Sequence, residues 1–158
     1  MRGAALGLLA LGALVSCRSS KTFKTTVELT RVYPLGRDPR APTLMDVELR
    51  YSECPGDARK LVRGDKDFAK CALDKLKTGM KNVSVEIVQS YNSERGNWRG
   101  DVVKIGECAV KADAKDEANY ERIEVCSELK MTGTAVGVYC DRKRTPALVE
   151  KCPWLRRD

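Results

Sequence analysis

The chain has 158 residues, with 29 Lys and Arg against 22 Asp and Glu for a net charge of +7, seven cysteines and no histidine. The lack of histidine excludes Ser-His-Asp and Cys-His catalysis and the common histidine-containing zinc sites. No C-x-x-C spacing supports a thioredoxin-like centre or a zinc ribbon, and no glycine loop has the pattern that cradles phosphate, so no cofactor, metal or catalytic group is expected.

Met1-Arg2-Gly3 makes a short positive start, and Ala4 to Val15 is apolar and uncharged. This is the layout of a secretory signal peptide; a membrane-spanning helix needs about 20 apolar residues. The run closes on Leu14-Val15-Ser16-Cys17, with leucine three places before the cysteine and a small serine directly before it. These residues resemble the lipobox of bacterial lipoproteins. The resemblance covers residues 1–17, and it implies cleavage before Cys17, lipidation of its sulfur and acyl chains on the new N-terminus. Arg18 stands where an aspartate commonly retains such proteins in the inner membrane, which implies the outer membrane, with periplasmic or surface orientation left open.

Lipidation of Cys17 also accounts for the odd cysteine. It leaves Cys54, Cys71, Cys108, Cys126, Cys140 and Cys152, an even set suited to an oxidising compartment. The expected organisation is a signal peptide over 1–16, a lipidated N-terminus and short tether over 17–21, and one domain over 22–158, long enough for a core of its own. Cleavage would remove one charged side chain, Arg2, so the excess of positive charge remains and favours anionic headgroups, acidic glycan or an acidic protein face. An exported, tethered protein rarely meets nucleic acid, and none is expected as a partner.

Phe23, Thr25, Val27, Leu29 and Tyr33 share one parity against Lys24, Thr26, Glu28 and Thr30, which predicts a half-buried strand. A proline-containing loop over 34–43 leads to a second strand with Met45, Val47, Leu49 and Tyr51 inward. Cys54-Pro55-Gly56-Asp57 fits a type II turn. Asp65 is placed to cap a helix whose apolar stripe is Phe68, Ala69, Ala72, Leu73 and Leu76, with Gly79 as its stop. Between Asp57 and Lys81 lie eight basic and four acidic residues, read as a solvated helix face or, failing that, a docking surface. Strands are expected over 82–91 and 98–108 around a turn at Asn92 to Asn97, and over 120–131 and 134–140 around Gly133. A short helix should start at Thr145-Pro146 and end at Pro153. The predicted fold is α+β, a largely antiparallel sheet of six strands with one main helix and a short C-terminal helix, stabilised by disulfides.

Pairing of sequence neighbours is the preferred disulfide set: Cys54 with Cys71, Cys108 with Cys126, and Cys140 with Cys152. Tyr91, Arg95, Trp98 and Arg99 around the Asn92 turn are the candidate ligand-binding residues, since aromatic faces beside cations hold sugars or acidic peptides. The competing reading makes Tyr91 and Trp98 a cross-strand packing pair. Asp101 and Glu107 are carboxylates that nothing singles out as an acid and base. Arg63-Gly64-Asp65 spells an adhesion tripeptide but serves more simply as a turn and helix cap, and Trp154 beside Arg156 and Arg157 reads first as packing. Together these features predict a non-catalytic lipoprotein that binds or positions an envelope protein in an outer-membrane or cell-surface assembly. The alternatives are a module for acidic glycan, lipopolysaccharide or anionic polysaccharide, and a small hydrolase inhibitor, whose positive charge would repel a basic lysozyme.

Overall fold

The computed structural model describes residues 20–93, 95–111, 121–141 and 144–157, with 121–130 and 135–141 described by backbone and register. The fold is α+β, as the alternation and the helical stripe indicate. In chain order it has strands β1 (Ser20–Leu35), β2 (Leu44–Tyr51) and β3 (Asp57–Gly64), helix α1 (Lys66–Lys75), strands β4 (Val83–Asn92), β5 (Asn97–Ile105), β6 (Cys108–Ala109), β7 (Glu121–Met131) and β8 (Thr134–Asp141), helix α2 (Pro146–Lys151), and a 3-10 turn over Pro153–Leu155. The strands form one antiparallel sheet in the order β6-β5-β4-β1-β2-β3-β7-β8. Two of these strands, β3 and the short β6, exceed the six expected.

The sheet is assembled on β1. Its first half, Ser20 to Val27, pairs with β4, and its second half, Val27 to Leu35, pairs with β2. A bulge between Leu29 and Arg31 bends the strand where backbone pairing from residues 79 and 80 takes up the open groups: Gly79 N donates to Leu29 O at 2.7 Å and Leu29 N to Met80 O at 2.8 Å. The extra residue also reverses the alternation. Tyr33, expected inward, is exposed and carries the Arg31 guanidinium over its ring at 5.0 Å, while Val32 packs on the core. Gly79 has φ +88° as a stop would, but it belongs to this turn; α1 has already ended at Leu76, whose backbone is extended.

The core lies on one face of the sheet. Val27, Leu29, Met45, Val47, Leu49, Val62, Val85, Ile87, Val102 and Ile105 point into it, and it is closed by Phe68, Ala69, Ala72 and Leu76 of the first helical region and by Leu148, Trp154 and Leu155 of the C-terminal segment. Full burial of an aliphatic or aromatic side chain of this kind contributes about 1.5–3 kcal/mol. Both helix starts are capped as their sequences require: Asp65 Oδ1 accepts from Phe68 N at 3.0 Å, and Thr145 Oγ1 from Leu148 N at 3.2 Å. Gly64 is glycine because any Cβ there would overlap the Phe68 ring. The Arg63-Gly64-Asp65 tripeptide is thus absorbed by the fold, with Arg63 held by both oxygens of Asp46 at 2.7 and 2.8 Å.

The missed strand β3 changes two expectations. Its inward row is Ala58, Lys60, Val62 and Gly64, so a lysine and a glycine interrupt the apolar period that marks a strand. Of the eight basic residues between Asp57 and Lys81, three, Arg59, Lys60 and Arg63, therefore lie on the sheet and not on a helix face. The disulfides also differ from neighbour pairing. Cys54 bonds Cys152, with Cα atoms 5.9 Å apart, and Cys71 bonds Cys108, with Cα atoms 5.7 Å apart. All three expected pairs are excluded, because each uses a cysteine already bonded elsewhere. The physical reason is β3: its eight residues carry the chain about 26 Å away from Cys54 before α1 begins, so Cys54 and Cys71 belong to different ends of the domain. Cys126 and Cys140 are Cα partners on β7 and β8.

Candidate functional site

The β4–β5 hairpin carries the residues singled out as ligand-binding. Val85 to Asn92 pairs with Ile105 to Asn97, and the register sets Tyr91 opposite Trp98 and Ser90 opposite Arg99. The Tyr91 and Trp98 rings lie 5.4 Å apart with planes tilted by 60°, so they form the cross-strand aromatic pair. Tyr91 remains 44% exposed and Trp98 is half-buried. At the tip, Asn92 Oδ1 accepts from Arg95 N at 3.1 Å, and Gly96 takes φ +62°, which its missing Cβ permits. Arg95 is exposed, whereas Arg99 donates from Nε to Asp101 at 2.6 Å. The four residues share one end of one hairpin, but Arg99 is already engaged.

The C-terminal segment runs along this hairpin. Gln89 Nε2 donates to Pro153 O at 2.8 Å, the Trp154 carbonyl lies over Gly100, and Trp98 N donates to Arg157 O at 2.9 Å. Trp154 packs between Phe23 and Tyr51 at 5.8 and 5.7 Å, which settles it as a core residue, while Arg156 and Arg157 arrive beside the Tyr91–Trp98 pair. The first described residue, Ser20, pairs with Ser90, one position from Tyr91. Cys17 and Glu94 lie outside the described residues.

A second feature lies at the other end of β1. The loop between β1 and β2 sits on α1, and Arg40, Ala41, Pro42, Lys66, Lys70 and Leu73 line a groove of about 230 Å³. Lys66, Lys70 and Leu73 are spaced i, i+4, i+7, so they share a helix face distinct from the buried Phe68, Ala69 and Ala72. Leu73, expected in the core stripe, is 42% exposed and serves this groove instead. The i, i+4, i+7 spacing was the available signal; the loop that completes the groove was not readable from periodicity.

Several other charges are paired locally. On the outer sheet face Arg50 pairs with Glu28, and Arg59 lies between Asp57 at 2.8 Å and Glu48 at 3.7 Å. Lys75 of α1 pairs with Glu107 in the β5–β6 turn; its hydrogen bond and charge hold the Glu107 carboxyl below the usual carboxylate range and raise the Lys75 ammonium in turn. Asp101 and Glu107 are each engaged by a different cation, so the structure does not bring them together as an acid and base. Comparison of the chain with models of known protein families, with characterised proteins and with solved structures returns no match.

Proposed function

We propose that this is a non-catalytic envelope lipoprotein, tethered through Cys17, that binds a partner protein at the groove between the β1–β2 loop and α1. The observation that carries the reading is the make-up of that groove: an apolar floor of Ala41, Pro42 and Leu73 beside the cations Arg40, Lys66 and Lys70. An apolar anchor flanked by carboxylates on a partner would complement it, with the charges guiding approach and register. Its position supports the same reading. The groove lies by the far end of β1, while the tether would enter at Ser20, so a partner has access away from the anchored end. The lipobox resemblance and the absence of histidine support the anchored and non-catalytic parts.

The test is site-specific photocrosslinking in intact cells from residue 73, compared between the wild type and a Lys66→Glu, Lys70→Glu variant. A single envelope protein captured by the wild type and lost in the charge-reversed variant is the expected result. Capture of the same abundant envelope proteins by both would sink the groove as a docking site. A second reading, an acidic-glycan module, draws on the exposed Tyr91 ring and Arg95. It requires retention on lipopolysaccharide or anionic polysaccharide at low salt that is lost on Trp98→Ala.

A further inference from the structure

The reading that Cys17 carries lipid fixes how far the domain can stand from the bilayer. β1 begins at Ser20, three residues after Cys17. Three residues span at most about 11 Å when fully extended, so the end of the domain that holds Ser20 is confined near the headgroups. The sheet register says what else is at that end: Ser20 pairs with Ser90, Ser90 with Arg99, Tyr91 with Trp98, and Asn92 with Asn97. The backbone bond from Trp98 to Arg157 brings the C-terminal arginines to the same place.

The chemistry gathered there matches a membrane interface. Tyr91 and Trp98 are the residue types that settle at headgroup depth, where an aromatic body is half-immersed and its polar edge stays wet. Around them are Lys21, Arg95 and Arg156, all exposed, together with Arg99 and the half-buried Arg157. Asp101 at this end is neutralised by Arg99, and the sequence between Asn92 and Asn97 carries one acid, Glu94, beside Arg95. Clustered Lys and Arg beside an anchor are drawn to anionic lipid.

Resting on the anchored reading, we propose that the β4–β5 turn is a second membrane contact: Tyr91 and Trp98 lie at the headgroup level of the leaflet that holds the Cys17 lipid, and Lys21, Arg95, Arg156 and Arg157 face the phosphates of its anionic phospholipids. The lipid chain then fixes the distance of the domain from the bilayer and the hairpin fixes its orientation.

The chain has two tryptophans, and Trp154 is buried, so quenching by lipid reports on Trp98. Full-length protein processed in cells would be reconstituted into vesicles containing phosphatidylglycerol with brominated acyl chains, alongside Trp98→Phe and Arg95→Glu variants. The expected result is loss of most Trp98 emission in the wild type, no lipid-dependent loss in Trp98→Phe, and weaker quenching in Arg95→Glu and in vesicles of phosphatidylcholine alone. Vesicle-bound, lipidated protein whose Trp98 emission is unaffected overturns the membrane-facing turn and leaves the anchor standing. Mature protein without acyl mass on Cys17 overturns the anchor. Trp98 quenching is then read on that protein added to phosphatidylglycerol vesicles at low salt, where its presence upholds the turn and its absence overturns it. Retention on anionic polysaccharide without any quenching by lipid decides against the proposal and for a glycan site.

Discussion

Lys60 on β3 donates from Nζ to the carbonyl oxygen of Gly100 on β5, 2.9 Å away, although β2, β1 and β4 lie between those strands in the sheet. A lysine can reach that far only if the sheet curls so that its two wings face each other across the core. The bulge in β1 between Leu29 and Arg31 sits at the bend. Lys60 is 4% exposed, so the contact is made away from water, where leaving the carbonyl without its donor is costly.

Lys60→Met keeps the length of the stem and removes the donor. The expected outcome is a loss of about 1–3 kcal/mol, read as a lower denaturant midpoint. An unchanged midpoint would show that the wings are held together by apolar packing alone.

Gly100 faces a second constraint. A Cβ at this position would lie 2.5 Å from the Trp154 carbonyl oxygen, which is backbone and cannot swing aside. Gly100→Ala should displace the 3-10 turn and cost about 1–3 kcal/mol, and Trp154 emission should shift to the red as the ring loses its seat between Phe23 and Tyr51. A blue or unshifted spectrum with wild-type stability would contradict the close approach.

With Cys54–Cys152 and Cys71–Cys108 formed, Cys126 and Cys140 remain as register partners on neighbouring strands. Mass mapping of non-reduced peptides is expected to recover a Cys126–Cys140 bridge beside the other two; free thiols at both positions would refute it. The two bridges in the body differ in span, 98 residues against 37. By chain entropy alone, removing the first should cost about 4.7 kcal/mol and removing the second about 3.8, so the Cys54→Ala, Cys152→Ala variant is expected to melt lower than its Cys71→Ala, Cys108→Ala counterpart.

The Lys75–Glu107 pair ties α1 to the β5–β6 turn beside the Cys71–Cys108 bridge. Because the Glu107 carboxyl is held low in the folded protein, its contribution is present above the ordinary carboxylate range and is lost as pH falls through the lower folded value. For Lys75, whose folded value is raised, the contribution is present below the ordinary ammonium range and is lost as pH climbs through the folded one. Both groups are exposed, so the tie should weaken with salt. A carbon-detected NMR titration of Glu107 is expected to give a midpoint below that of an isolated glutamate, returning toward it in Lys75→Ala; identical titrations in the two proteins would dismiss the pair.

What could be read in advance follows the strength of the local signals. Asp65 and Thr145 announced their helices because a cap residue followed by an apolar period has one good local solution. The hairpins β1–β2, β4–β5 and β7–β8 were legible because each joins neighbours in sequence through turn residues. β3 was hidden by Lys60, an inward charge whose partner is forty residues away, and the disulfides were misread because that strand was missing from the path. Tyr33 was misplaced because a bulge depends on pairing with two strands and leaves no trace in the alternation of one. Of the candidate site, the Tyr91–Trp98 pairing was readable as an alternative. The approach of Arg156 and Arg157, and the groove completed by Arg40 and Pro42, depend on segments brought together by the fold as a whole.

The division of β1 between two partners also bears on the order in which the molecule can form. A chain leaves the ribosome N-terminus first, so β1 is the earliest strand to appear. Its second half finds β2 within a short loop, but residues 20–27 have no neighbour until Val83–Asn92 has followed. Over that interval half of the strand is an open edge carrying Thr25 and Val27 of the future core, and the step that covers it must close a loop of roughly sixty residues, the kind of non-local pairing that slows folding. The strand that the sheet is built around is thus the first made, yet half of it waits for residues 83–92 before it is paired.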